Sequence, residues 1–308
     1  MKKSLGLLAL ALCSQAFAGT LIDDGIKANR NAFPGVVKIS IFQNQDNKEV
    51  LMGNCSGTLI AHDVVVTAAH CIMSGVTTRV SLAGDEIGKA DKASGGIKVI
   101  SSFKNSAHAT YSNLYQQGMK LIQTEEFRRL SAGDQESIAK EIIQASILMR
   151  GLDIGFLVLE KKQVFPAGKK PSTLGCKQSL SVGSAVTIAG YGRKAGKVPG
   201  VDYNEAYELN FGSNTVVANQ TSGLTYKLDK KAGFQVANSG DSGGPMFKKG
   251  DQSVVFGVTS AGRPDQNNRT NEVDYANLSS PIAKKVYEGI LAAKTAPVAL
   301  TTILKACK

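Results

Sequence analysis

The chain has 308 residues, 32 glycines, no tryptophan, 43% hydrophobic residues and a formal charge of +11. That length is ample to bury a core without staples, and the glycine content fits many short strands joined by turns. The basic balance invites nucleic acid or an anionic surface as partner. The lysines are scattered, however, and aromatics reach only 6%, so no stacking motif of a nucleic-acid binder is present.

The first segment reads as an export leader. Lys2 and Lys3 precede an apolar run, Leu5 to Leu12, and Ala16-Phe17-Ala18 offers a small-x-small cleavage signal. Cleavage is expected between Ala18 and Gly19, leaving residues 19–294 as the main domain and 295–308 as a tail. Leu12 before Cys13 argues against a lipoprotein site. The leader is too short to span a bilayer as a helix, and no later stretch is apolar enough for it. The expected mature protein is therefore secreted or periplasmic, with no membrane partner after cleavage. Four cysteines remain, Cys55, Cys71, Cys176 and Cys307. An even count in an exported chain favours two disulfides over metal binding. Three pairings are open. If Cys55 closes the short loop to Cys71, then Cys176 and Cys307 are left to tie the tail to the body. The three histidines show no zinc-ligand spacing with cysteines, and neither metal nor organic cofactor is expected.

Strand-like runs follow in quick succession at Val36–Phe42, Ser56–Ile60, Val64–Ala68, Thr78–Ala83 and Ile97–Ile100. Ser112–Met149 breaks the pattern. Ile138, Ile142, Ala145 and Met149 share a helical face, and Gly133 with Asp134 divides the segment into two helices, with Asp134 as N-cap of the second. Strands resume at Ile154–Leu159, Ala185–Ala189, Glu205–Phe211, Val254–Ser260 and Val273–Leu278. Ser280–Lys294 is helical, with Pro281 in the first turn. Short strands at this spacing imply an all-β sandwich or barrel, and barrel closure removes exposed edges.

Three stretches carry chemistry. Gly240-Asp241-Ser242-Gly243-Gly244-Pro245 offers a serine nucleophile, and the Gly240 and Ser242 amides converge on one point where an oxyanion would sit. Serine needs a base, and His70, in Thr67-Ala68-Ala69-His70-Cys71, is the candidate. An imidazole base needs a carboxylate to fix its tautomer. Asp153 opens the apolar strand Ile154–Leu159, where a charge without a partner is costly. The order His70, Asp153, Ser242 makes an α/β-hydrolase, whose serine comes first, a distant third reading, although G-x-S-x-G is formally present at Gly240 to Gly244.

These motifs resemble the chymotrypsin/trypsin-like serine peptidases. Cys55-Ser56-Gly57-Thr58-Leu59-Ile60, Ala189-Gly190-Tyr191-Gly192 and Val258-Thr259-Ser260-Ala261-Gly262 resemble further family segments, so the likeness runs from about Ile22 to Lys294. It implies two packed antiparallel β-barrels with a C-terminal helix and a helical insertion before the aspartate. The implied activity is a Ser-His-Asp endopeptidase acting on proteins or peptides through an acyl-enzyme. The alternative is a catalytically silent homologue that binds a partner through the same surface. His62 and His108 read as solvated or structural; His108 lies in a segment resembling a family loop ending in HPxY.

The chain also departs from the family. The resemblance implies a zymogen whose freed amine pairs with Asp241, and the new terminus would fall near Ile22, where no Arg or Lys precedes the bond. A different, activating protease is therefore expected. Substrate-pocket positions fall on Val236, Ser239, Ser260 and Gly262. Val236 replaces the aspartate that selects Lys or Arg, Asn238 replaces a pocket cysteine, and Ala261 replaces a tryptophan. Small or medium uncharged side chains are the expected specificity, unless a shifted register brings Asp274 into the pocket wall.

Overall fold

A computed structural model describes residues 26–28, 31–46, 48–82, 96–192, 208–220, 223–230, 235–237, 239–264 and 270–308. The expected export leader, Ile22 and Asn238 lie outside these residues.

The first barrel is closed by six antiparallel strands in the order β2-β3-β4-β7-β6-β5. These are β2 (Val36–Gln45), β3 (Lys48–Leu59), β4 (Val64–Thr67), β5 (Thr77–Leu82), β6 (Ile97–Lys104) and β7 (Gly155–Leu159). Alternation explains its interior. Val37, Ile39, Val65, Val80, Leu157 and Leu159 point inward, while Val36, Val64, Val66 and Phe156 face the second barrel. Strands β4 and β7 are thus buried on both faces and read as unbroken apolar runs. Full burial of each such side chain is worth about 1.5–3 kcal/mol.

The second barrel contains β9 (Ala185–Gly190), β10 (Asn210–Gln220), β11 (Thr225–Asp229), β12 (Pro245–Lys248), β13 (Asp251–Pro264) and β14 (Thr270–Asn277). Pairing of β10 with β9 closes the ring, and the two-residue strands β1 (Ile26–Lys27) and β8 (Thr173–Leu174) add to its rim. Its interior holds Val186, Val216, Tyr226, Val236, Met246, Val273 and Tyr275.

The helical insertion is longer and more divided than the sequence pattern implies. It comprises α1 (Ser106–Leu121), α2 (Glu125–Arg129) and α3 (Ala132–Gly151). Gly133 lies inside α3, and the N-cap is Ser131, not Asp134: Ser131 Oγ accepts the Asp134 amide at 3.2 Å. Helices α1 and α3 pack closely enough that a Cβ on Gly118 would sit 2.3 Å from Ile142. Two helices, α4 (Pro281–Ala292) and α5 (Val298–Lys305), end the chain. Ser280 caps α4 by accepting the Ala283 amide. The tail carries a helix of its own. Its helix α5 buries Leu300 and Leu304 in the inter-barrel core, and Cys307 bonds to Cys176. No helix among the described residues is long and apolar enough to cross a membrane.

Candidate active site

Strand β4 ends at Thr67, and the chain turns through Ala69, His70 and Cys71. Ala68, Ala69 and Cys71 are buried, while the His70 ring keeps 38% of its side-chain surface exposed. The turn is pinned by the Cys55–Cys71 disulfide. It presses so closely on β7 that a Cβ at Gly155 would approach Ile72 to 2.6 Å and the backbone of Ala68 and Ala69 to 3.3 Å.

Asp153 stands between the end of α3 and the start of β7 and is 2% exposed. Its carboxylate is the hub of the site. Asp153 Oδ2 accepts from His70 Nδ1 at 2.8 Å and from Ser260 Oγ at 2.7 Å. Asp153 Oδ1 accepts the His70 amide at 2.9 Å, and His108 Nε2 lies 3.3 Å from the same oxygen. Burial alone would raise the Asp153 pKa, but the charges and hydrogen bonds of His70, with His108 and Ser260, carry it below the ordinary carboxylate value. For His70, loss of solvation at the packed edge of the ring opposes protonation. The charge and hydrogen bond of Asp153 outweigh that, and they hold the imidazole above its ordinary value against the opposing pull of Lys104. The Lys104 ammonium donates to Ile72 O at 2.5 Å and approaches Ala69 O at 3.5 Å, behind the histidine turn.

Ser242 comes from the loop before β12. Gly240 and Gly243 adopt φ of +92° and +79°, a region that side chains disfavour. Gly243 has a second reason to lack a side chain: a Cβ there would lie 2.1 Å from Thr67 Oγ1 and 2.7 Å from Ala68 N. The loop is thereby packed against the strand end that carries His70. The Ser242 carbonyl accepts from Ser56 N at 2.7 Å and lies 3.7 Å from Cys71 Sγ. On the other side, Gly243 N donates to Thr259 O at 2.8 Å, next to the Ser260 that binds Asp153. Ser56 is fully buried, and its hydroxyl donates to Gly240 O and accepts from Tyr191 N, so it holds the loop a second time.

Asp241 is fully buried and accepts the Gly192 amide at 2.7 Å. A Cβ on Gly190 or Gly192 would fall 2.2 and 2.5 Å from its carboxylate oxygens, which accounts for the glycines flanking Tyr191. Of the pocket positions, Val236 is fully buried within the second-barrel core, Ser239 is half-buried and Gly262 is exposed on β13. Ser260 serves the carboxylate through its hydroxyl. Asp274 is 2% exposed and is paired with Arg150 at 2.7 Å and Arg263 at 3.2 Å, so its charge is neutralised between α3 and β13. Among the described residues, Cys55, His70 and Cys71 are close enough to suggest a metal centre. Both sulfurs are committed to the disulfide and offer no thiolate.

Lys104, His108 and Ser56 were not singled out as site residues by sequence reasoning. Lys104 pairs with Gly155 in the β6–β7 register, so a strand alignment would have brought it within two residues of Asp153. His62, by contrast, is a local structural residue: its Nδ1 lies 2.7 Å from Gln163 O, and its ring meets the edge of Phe165.

A family model described as Trypsin matches residues 22–286. Comparison with curated sequences yields no match. Among solved structures, HL collagenase aligns over 90% of this chain and 100% of its own, at 15% identity and a TM-score of 0.57. Neuropsin, a serine protease expressed in the limbic system of mouse brain, aligns over 84% and 95% at 18% identity and a TM-score of 0.49.

Proposed function

Because the chain belongs to the trypsin family, we propose that it is an exported serine endopeptidase that cleaves peptide bonds through an acyl-enzyme. The observation that carries this reading is the double hold of Asp153 on His70, through the ring at 2.8 Å and the backbone at 2.9 Å, beside the loop of Ser242. Asp153 fixes the tautomer with the proton on Nδ1, which leaves Nε2 free to take the Ser242 proton. Ser242 Oγ attacks the carbonyl carbon, and the amides of Gly240 and Ser242 receive the developing oxyanion. The resulting imidazolium gives its proton to the leaving amine, and a water repeats the sequence to release the acid. Purified mature protein should release peptides from a denatured protein substrate, with a burst of about one acyl-enzyme equivalent on an activated ester. A protein that cleaves neither would contradict the reading.

Two disulfides in this fold support an oxidising, extracellular or periplasmic setting. The buried, apolar Val236 and the paired Asp274 support a pocket without net charge. A peptide-library digest should therefore show cleavage after small or medium uncharged residues; cleavage mainly after Arg or Lys would contradict this.

The buried Asp241 supports an activation step at Ile22 by a separate protease, because no basic residue precedes that bond. Edman sequencing of active protein should begin at Ile22. Active protein that still begins at Gly19 would contradict trimming.

A further inference from the structure

The helical insertion joins β6 to β7. It leaves the first barrel at Lys104, the last residue of β6, and returns at Asp153, just before β7. Both of its ends therefore meet at the buried carboxylate. Asn105 caps α1 by accepting the Ala107 amide at 2.8 Å, which fixes the first turn, and His108 lies in that turn. The His108 side chain is 7% exposed and places Nε2 at 3.3 Å from Asp153 Oδ1, the oxygen that also receives the His70 amide. Asp153 thus faces two imidazoles, one solvent-facing and one enclosed by the insertion.

We propose that His108 is a positioning residue that acts through Asp153 to limit how strongly the carboxylate holds a proton on His70. This inference rests on the peptidase reading given above. The charged and titratable groups that face His108 are Asp153, His70 and Lys104. Burial disfavours its charged form and, with the cations of His70 and Lys104, outweighs the attraction of Asp153, so its pKa lies below the ordinary imidazole value. His108 is then neutral while His70 titrates, and its ring, with Nε2 protonated, presents an N–H dipole to the carboxylate at 3.3 Å. That dipole takes up part of the negative charge which would otherwise stabilise the His70 imidazolium. A base must be unprotonated to act, so weakening the imidazolium keeps His70 competent at lower pH. At still lower pH, His108 itself gains a proton and strengthens the same effect.

The test compares His108→Leu, which removes the dipole, with His108→Gln, which keeps an N–H dipole that does not titrate. In His108→Leu the acidic limb of kcat/KM should move to higher pH, so that activity at about pH 6 falls roughly threefold relative to about pH 9. In His108→Gln the limb should stay near that of the parent. A purely structural role would lower the fraction of active sites without moving the limb. An unmoved limb in His108→Leu therefore overturns the proposal. A second readout keeps it decidable if the parent proves inactive or His108→Leu folds poorly. NMR titration of the His70 Cε1 proton is followed in Ser242→Ala alone and with His108→Leu or His108→Ala. A higher His70 midpoint without His108 supports the proposal whatever the activity, and an identical midpoint overturns it. Absence of hydrolysis in the parent, by itself, bears only on the peptidase reading.

Discussion

Replacing Ser242 with alanine should lower kcat/KM by about four to six orders of magnitude while leaving the fold intact. The magnitude follows from removing the nucleophile while the oxyanion donors and substrate contacts remain, which still leave a residual of about 10³-fold over water. The fold should survive because the contacts that position this residue are made by backbone. Its carbonyl accepts from Ser56, and Gly243 donates to Thr259. The side chain is only half-buried, so its loss opens no large cavity. Steady-state kinetics with matched thermal melts check both parts. The double variant Ser242→Ala with His70→Ala should be no worse than either single one, because the two groups act as a unit. A ten-fold loss or less would place the nucleophile elsewhere.

The second large effect is expected from Asp153→Asn, at about 10⁴-fold in kcat near neutral pH. The carboxylate receives three hydrogen bonds, from His70 Nδ1, the His70 amide and Ser260 Oγ, and the group is almost fully enclosed. An amide offers one acceptor oxygen and an NH₂ group that must face one of these donors. If it faces the ring, His70 must turn its Nδ1 into an acceptor and carry its proton on Nε2, the atom that has to accept from Ser242. The same change removes the negative charge that holds His70 above its ordinary pKa, so the remaining activity should have its acidic limb at lower pH. Loss of activity without that shift would mean that the substitution damaged packing rather than proton transfer.

The two barrels were legible because their strands are short, apolar and turn-bounded, and because β4 and β7 are buried on both faces. The structure gives the glycines of the site their physical reasons. Gly240 and Gly243 are required by positive φ, and Gly190 and Gly192 by the approach of Asp241. Asp153 could be named from the base's need for a carboxylate; it is the pairing of β4 with β7, aligning Thr67 with Gly155, that brings it against His70. What remained hidden depends on contacts between elements distant in sequence. His108 is one polar residue on a half-exposed helix, and nothing in the helical period marks it as enclosed. It becomes notable only when α1 is laid against the start of β7. The Ser56 hydroxyl gains meaning only from Gly240, 184 residues away. The division of the insertion was misread because Gly133 and Asp134 are tolerated within the first turn of α3, where Ser131 supplies the cap. Helix α5 was hidden by its brevity; it is held by Leu300, Leu304 and the bond from Cys307 to Cys176 rather than by helix propensity.

The central claim is that His70, oriented by Asp153, activates Ser242. Its most direct test is labelling of mature protein with a peptidyl phosphonate, followed by mass spectrometry of the modified peptide. One equivalent should attach to Ser242, and labelling should disappear in Ser242→Ala and become very slow in His70→Ala. An unlabelled mature protein, or a label that persists on another residue in Ser242→Ala, would contradict the account.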